Sequence, residues 1–339
     1  MFAPSPKTRG GINSVVNAYR HESFWEEYRC KWISTYRDGN TGVKLAYFVL
    51  AWIRALALMP WYDIVHIHFS LPSSARRKMH FFRMAKLLRK KIVIHLHCGD
   101  QLPRIWGPMY ERMFREADCS LVLSEAVRSR IDDYLEDHGR LEVLYNPCPK
   151  VSPVAPYSQR RKEILVAGTI NRNKAWQDII PAWAKVAAHW PDWRLVFAGN
   201  GEITAARDLA AKCEVSEQVS FPGWLEKNRK AEAFQGASML CMASYEEGFP
   251  MAVLDAFAYG LPVISSLVGG IRDLQVRKDP SVRFFEAGDI NELSEAFDAL
   301  IADEALREAM SKASLAYAQG LFSLDRILKQ LGTIYEGLI

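Results

Sequence analysis

The sequence predicts an α/β chain built from two Rossmann-like, doubly wound parallel-sheet domains. Three observations carry that expectation. Short runs rich in Val, Ile and Leu, such as Asp63–Phe69 (DIVHIHF) and Lys91–His97 (KIVIHLH), alternate with longer segments of helical period. Near-continuous apolar strands separated by helices mark a parallel sheet covered on both faces. A stretch with four prolines and no periodicity, Asn146–Arg161 (NPCPKVSPVAPYSQRR), then interrupts the pattern, and beyond it the alternation restarts. At 339 residues the chain is also too long for one comfortable core.

In the first half the strands are expected at Asp63–Phe69, Lys91–His97, Ser120–Ser124 and Leu141–Tyr145, with a weaker one near Tyr28–Tyr36. Helices fall around 11–20, 42–58, 73–90, 107–116 and 124–137. Only Met1–Ala3 is available for the strand ahead of Gly10-Gly11. The second half places strands at Glu163–Ala167, Arg194–Ala198, Val219–Phe221, Met239–Ala243, Pro262–Ser265 and Val282–Phe285. Two long helices, about 290–318 and 323–338, close the chain. The expected domains are 1–150 and 151–320, with 321–339 as a C-terminal helix packing back on the N-domain. Two such units facing each other leave a cleft between two sets of strand C-terminal ends, where ligands bind in these folds.

Composition narrows the class. Hydrophobic residues make up 49% and charged ones 24%, which is globular rather than disordered. The six cysteines are scattered, with no CxxC pair and no histidine cluster at zinc spacing, so reduced thiols in the cytoplasm are expected. The segment MFAPSPKTRGG has no apolar h-region. The apolar stretch Leu45–Pro60 contains Arg54 and falls short of the roughly 20 residues that a membrane span needs. It predicts a buried or interfacial helix. Residues 1–150 hold 23 Lys+Arg against 15 Asp+Glu, and the remainder 20 against 24, so the halves are expected to meet different partners.

Three loops carry the chemistry. Gly10-Gly11-Ile12-Asn13 follows the first strand and opens a helix, and glycines there let the backbone approach an anion held by free N–H groups. Val166–Ile179 (VAGTINRNKAWQDI) repeats the arrangement, with Lys174 at the first turn of the next helix. A lysine is electrostatically misplaced there, and a bound diphosphate would account for it. Ala243–Ser266 (ASYEEGFPMAVLDAFAYGLPVISS) runs from a strand through an acidic, glycine-bearing loop into a helix from about Pro250. Carboxylates there accept hydrogen bonds from sugar hydroxyls.

Taken together, these segments resemble the family-4 retaining glycosyltransferases of the GT-B fold (glycosyl transferases group 1), over essentially the full length. The resemblance rests on Gly10-Gly11, on the strand ending in His97 (HLHCGD), and on the loop that carries Lys174. It rests further on E-G-F-P-M-A-V-L-D-A followed by Gly260-Leu261-Pro262-Val263, and on Gly269-Gly270-Ile271. It implies a metal-independent hexosyltransferase with a nucleotide-diphosphate sugar as substrate and no cofactor. The acceptor it implies is a glycan or a lipid-linked molecule, in capsule, exopolysaccharide or lipopolysaccharide synthesis. By position, His97, Lys174 and Glu247 are implied as catalytic. Gly10, Gly11, Thr169, Arg172, Lys174, Gly248, Phe249, Pro250, Met251 and Asp255 are implied as donor-binding.

The sequence also departs from the pattern. Seven residues separate Glu247 from Asp255, and the second acid is Asp where the family has Glu, shorter by about 1.5 Å. Thr169 replaces the arginine of the C-domain loop and Ala175 its second glycine. No Asp-x-Asp stands at a strand end to ligate a metal, and Asp132-Asp133 falls mid-helix.

The segment 76–91 is strongly basic. Between Ser73 and Lys91 it carries eight Lys/Arg and no acid, with one apolar side. It is expected either to be a solvated face or to dock peripherally on an anionic membrane surface at the inner face of the cytoplasmic membrane. No aromatic-rich groove or motif supports nucleic acid. Two other readings of the chain are a GT-B-fold nucleotide-sugar 2-epimerase and a catalytically weak nucleotide-sugar-binding relative.

Overall fold

In the computed structural model, residues 1–8, 10–277 and 280–339 are described. They form two compact units, Met1–Pro147 with Leu324–Ile339, and Cys148–Ser323. In order, unit 1 contains β1 (Phe2–Ala3), α1 (Gly11–Arg20), α2 (Ser23–Glu27), β2 (Ile33–Ser34), α3 (Thr41–Leu58), β3 (Ile64–Phe69) and α4 (Pro72–Leu87). It continues with β4 (Lys91–Leu96), α5 (Leu102–Ile105), α6 (Pro108–Glu116), β5 (Cys119–Val122), α7 (Glu125–Tyr134) and β6 (Arg140–Val143). Unit 2 contains β7 (Glu163–Ala167), α8 (Trp176–Val186), β8 (Arg194–Ala198), α9 (Ile203–Lys212), β9 (Val219–Ser220) and α10 (Lys227–Gly236). Then follow β10 (Met239–Met242), α11 (Met251–Ala258), β11 (Val263–Ser266), α12 (Arg272–Val276), β12 (Val282–Phe285), α13 (Ile290–Ala302) and α14 (Glu304–Gln319). The last helix, α15 (Leu324–Glu336), belongs to unit 1.

Both sheets are parallel at every pairing among the described residues, ordered β2-β1-β3-β4-β5-β6 and β12-β11-β10-β7-β8-β9. In unit 2 the chain builds outward from β7 through β8 to β9, then restarts at β10 on the other side of β7. The carboxyl ends of β7 and β10 therefore flank a topological switch point, the place where such sheets bind ligands. In unit 1 the equivalent break lies between β1 and β3. The strand at Phe2–Ala3 is short but central, paired with β2 on one side and β3 on the other.

The period of two sorts the side chains of each strand. In β3, Val65, Ile67 and Phe69 join the apolar core that Phe81 and Phe82 of α4 also enter, leaving His66 and His68 for the opposite face. In unit 2 the core gathers Ile164, Leu195, Met239 and Ile264 from the sheet around Trp183 and Phe297.

The structure corrects several expectations. The weak strand near Tyr28–Tyr36 shrinks to Ile33–Ser34, and a short helix, α2, precedes it. The helix expected at 290–318 is two helices, because Asp303 turns extended and its Oδ1 accepts from Leu306 N at 2.8 Å, capping α14. The basic segment does not present eight cations. Lys78 is fully buried with Nζ donating to Ser74 Oγ at 3.0 Å, and Arg77 is half-buried over the Tyr36 ring at 4.6 Å. Helix α3 is not a buried helix either, since within it only Ala51 and Ala55 are buried.

Candidate functional site

The loop after β7 is built to hold Lys174 in place. Asn171 Oδ1 accepts from Lys174 N at 3.1 Å, closing a 3₁₀ turn over Arg172–Lys174. Ala175 then takes a left-handed conformation (φ 51°) before α8 begins at Trp176. Lys174 therefore sits one turn ahead of the helix and not within it. Gly168 (φ +142°) starts the turn, and a Cβ at Gly199 or Gly201 would meet the carbonyls of Gly168 or Ile170. Glycine is needed at both because the β8 loop packs backbone to backbone against this one. Trp176 Nε1 donates to Glu202 Oε2 at 2.8 Å and ties the two loops together.

The loop after β10 meets it. Lys174 Nζ donates to Glu247 Oε1 in a tight ion pair, and Glu247 is only 14% exposed. Asn173 adds Nδ2 to Glu246 O at 3.0 Å, and Tyr245 N donates to Asn173 O at 2.9 Å. Tyr245 Oη donates to Asp178 Oδ2 at 2.6 Å. These contacts join residues about seventy positions apart in the chain. Between the loops lies a pocket lined by Gly168, Thr169, Lys174, Trp176, Phe197 and the strand end Met242–Ser244.

Gly248, Phe249 and Pro250 carry the chain into α11, with Pro250 as the residue ahead of its first turn and Met251 as its first residue. The first N–H groups of a helix lack intrahelical partners and face outward from its end. Phe249 is buried, with its ring 5.2 Å from Phe322. The Gly269-Gly270 turn braces the loop from behind. Gly270 N donates to Gly248 O at 2.7 Å, and Gly269 (φ +56°) lies so close that a Cβ would strike the Glu247 and Gly248 carbonyls.

Asp255 lies on α11 as expected, but sequence reasoning missed its partner. Lys230 Nζ of α10 donates to Asp255 Oδ2 at 2.6 Å. Burial pushes the Asp255 carboxyl up from the usual range, against the pull of Lys230. Among the remaining candidates, Thr169 is exposed and lines the pocket, and Arg172 is exposed in the 3₁₀ turn that ends at Lys174.

In unit 1, Gly10 caps α1 in a conformation open to glycine (φ 145°), and α1 starts at Gly11 with no acid in its first turn. Asn13 Nδ2 donates to the carbonyls of Ser5 and Thr8, holding the preceding loop against the helix. His97 follows β4 and is not alone. His68 Nδ1 lies 3.0 Å from His97 Nε2, and His66 Nδ1 lies 2.6 Å from Tyr335 Oη of α15. His66, His68, His95 and His97 form one histidine ladder across β3 and β4. The signal was present in the alternation of HIH and HLH on neighbouring strands. Burial, then repulsion from neighbouring imidazoles, holds His66, His68 and His97 well below the usual 6.5, and burial lowers His95 to about 3.

The expectation of no histidine cluster therefore fails. Nitrogens of His66, His68 and His95 all lie within 4.8 Å of one another. Their geometry is that of a stack, with His66 tilted only 18° from His68 and 17° from His95. Lone pairs of near-parallel rings run side by side, whereas a tetrahedral ion needs them to converge.

Two doubly wound units, with a glycine-and-lysine loop meeting an acidic loop at the switch point of the second, are the arrangement that the resemblance to GT-B glycosyltransferases implies, and similarity to known proteins establishes that class. Anabaena HepE in complex with UDP-glucose has this fold, with a TM-score of 0.74 at 17% identity over 99% of this chain and 98% of that one. Residues 152–316 match the model of glycosyl transferases group 1 and residues 14–149 that of Glycosyltransferase Family 4. The chain belongs to this family of glycosyltransferases. It is 23% identical to N-acetyl-alpha-D-glucosaminyl L-malate synthase of Bacillus anthracis, over 82% of this chain and 75% of that protein. It is 27% identical to D-inositol 3-phosphate glycosyltransferase of Kribbella flavida, over 82% and 72%.

Proposed function

We propose that the protein is a retaining, metal-independent hexosyltransferase that moves a sugar from a nucleoside-diphosphate sugar to a glycan or lipid-linked acceptor in surface-polysaccharide synthesis. The observation that carries this reading is the meeting of Lys174 and Glu247 at the carboxyl ends of β7 and β10. Lys174 supplies the positive charge that a departing diphosphate needs, and the first turn of α11 adds N–H groups. Glu247 accepts from sugar hydroxyls, and Asp255 accepts from ribose through one oxygen while Lys230 holds Oδ2. In unit 1, His97 offers a neutral imidazole to a sugar hydroxyl. In the transfer, the bond from the anomeric carbon to the phosphate oxygen breaks as the bond to the acceptor oxygen forms on the same face. The acceptor proton passes to the departing phosphate oxygen, so no protein nucleophile is needed. The UDP-glucose held by HepE supports a uridine donor as the first to try. We place the protein in the cytoplasm, with the basic unit 1 against the inner face of the membrane.

The test is transfer and donor hydrolysis with a panel of nucleotide sugars, reading the product anomer by NMR. Retention of the donor's α configuration, undiminished in excess EDTA, is expected because Lys174 occupies the role of the ion. An inverted product overturns the mechanism. Activity abolished by chelation and restored by one divalent ion overturns the metal independence. Donor bound but neither hydrolysed nor transferred leaves a binding protein.

The brace behind the donor loop gives a second expected result. Gly269→Val forces a side chain into a left-handed position against the Glu247 and Gly248 carbonyls, at a cost of about 1–3 kcal/mol. If the loop holds the donor, calorimetric Kd for the best nucleotide sugar rises by roughly tenfold or more. An unchanged Kd separates this loop from donor binding.

A further inference from the structure

The exposed face of α3 carries an apolar stripe, with exposed Lys44 and Arg54 beside it. Leu45, Val49, Leu50, Ile53 and Leu56 lie on it, with Leu45, Ile53 and Leu56 each close to 60% exposed (61%, 58% and 59%), and Trp61 beyond the helix end is 84% exposed. Their spacing of three and four places them on one side. The other side is taken. Phe48 and Trp52 pack on Phe81 of α4 with ring centroids 5.9 and 5.7 Å apart, and Ala51, Ala55 and Met59 enter the core. A soluble surface does not carry a contiguous apolar stripe of this size without a partner.

The rim of the stripe names the partner. Between residues 37 and 91 stand eleven Lys and Arg and two acids, Asp38 and Asp63. Arg37 stacks over Tyr47 and Lys44 over Tyr36 near the start of α3. At its other end Lys90 Nζ donates to Pro60 O at 2.8 Å, which sets Trp61 beside the turn that carries exposed Leu87 and Arg89. Exposed Arg76, Arg83 and Lys86 extend the charge along α4.

We infer that α3 is a membrane-insertion helix that lies in the plane of an anionic leaflet, its apolar side in the acyl region and its cations at the headgroups. An apolar stripe with a tryptophan at one end and a mostly cationic border is the chemistry of an interfacial helix. A second copy of the chain fits poorly, since a two-fold contact through this face would bring like-charged rims together. Thr41–Trp61 is long and apolar enough to cross a bilayer by length and composition. Crossing would strip Ala51, Ala55 and Met59 from the core, so the helix lies flat. The inference deepens the reading of a membrane-borne acceptor and rests on that reading for its purpose. It also differs from docking by the basic segment alone, because apolar insertion is not screened by salt.

The experiment is flotation of the full chain with phosphatidylcholine vesicles, with and without phosphatidylglycerol, at low salt and at about 1 M NaCl, where the screening length is about 3 Å. Wild type is expected to float with anionic vesicles and to keep a clear fraction bound at high salt. Leu50→Ser, Ile53→Ser and Leu56→Ser combined should lower binding at least about tenfold and leave no salt-resistant fraction. Arg76→Glu with Arg83→Glu should lose the salt-sensitive part only. Trp61→Ala, too exposed to disturb the core, serves should the triple variant fail to fold by circular dichroism, and it should weaken flotation in the same direction. Variants that float like wild type overturn the inference. So does a wild-type dimer that the triple variant converts to monomer without vesicle binding by either. Donor hydrolysis without vesicles is the separate readout of the proposed function. It should be unchanged in the α3 variants, and its absence from wild type would defeat that function while leaving the flotation result standing.

Discussion

Lys174→Ala is expected to lower turnover by roughly 10²–10³, the size of effect that follows loss of one charge stabiliser at a transition state. The loss should fall on kcat more than on KM, because the charge that Lys174 meets grows as the phosphate departs. Sequence alone leaves Lys174 as an exposed cation whose removal hardly changes stability. Its ion pair alters that expectation. Glu247 is 14% exposed, and without its partner the carboxylate is left poorly solvated at a cost of about 1–3 kcal/mol. The variant Lys174→Ala/Glu247→Gln separates the two effects, since it should recover thermal stability and recover no turnover. Near-normal turnover in Lys174→Ala would remove the lysine from the chemistry, and the assignment of the β7 loop to the diphosphate with it.

Acid should destabilise the chain from a higher pH than its carboxylates alone would set. Unfolded imidazoles take up protons near 6.5. Folded, His95 resists until about 3, and His66, His68 and His97 are also held well below 6.5. Below about 6.5 the unfolded state therefore binds protons that the folded state refuses, and stability falls as pH falls. Each such imidazole withdraws about 1.4 kcal/mol per pH unit below 6.5 for as long as the folded ring stays neutral, against a domain's whole stability of about 5–15 kcal/mol. Thermal melts between pH 8 and 4.5 should show a plateau down to about 6.5 and a steep decline below it. His95→Leu should flatten the decline, because among the described residues neither ring nitrogen of His95 has a hydrogen-bond partner to lose. A melting temperature constant down to pH 5 would show that the ladder takes up protons without unfolding.

The architecture was legible because each strand is a local apolar run and each loop chemistry follows its strand directly. DIVHIHF and KIVIHLH show both the sheet and, through alternation, the shared face of their histidines. Glycine and lysine after β7 and the acidic loop after β10 were readable for the same reason, since backbone demands and helix-end electrostatics act over a few residues. What the sequence left open depends on which distant groups meet and which side faces water. Lys230 on Asp255 and Lys174 on Glu247 join separate crossovers, and no local pattern encodes such pairs. Lys78 looks like one cation among eight until α4 turns it inward onto Ser74. The sequence of α3 is apolar almost all round, so periodicity cannot say which side is covered. Only the packing of Phe48 and Trp52 on α4 decides that Leu45, Leu50, Ile53 and Leu56 remain outside.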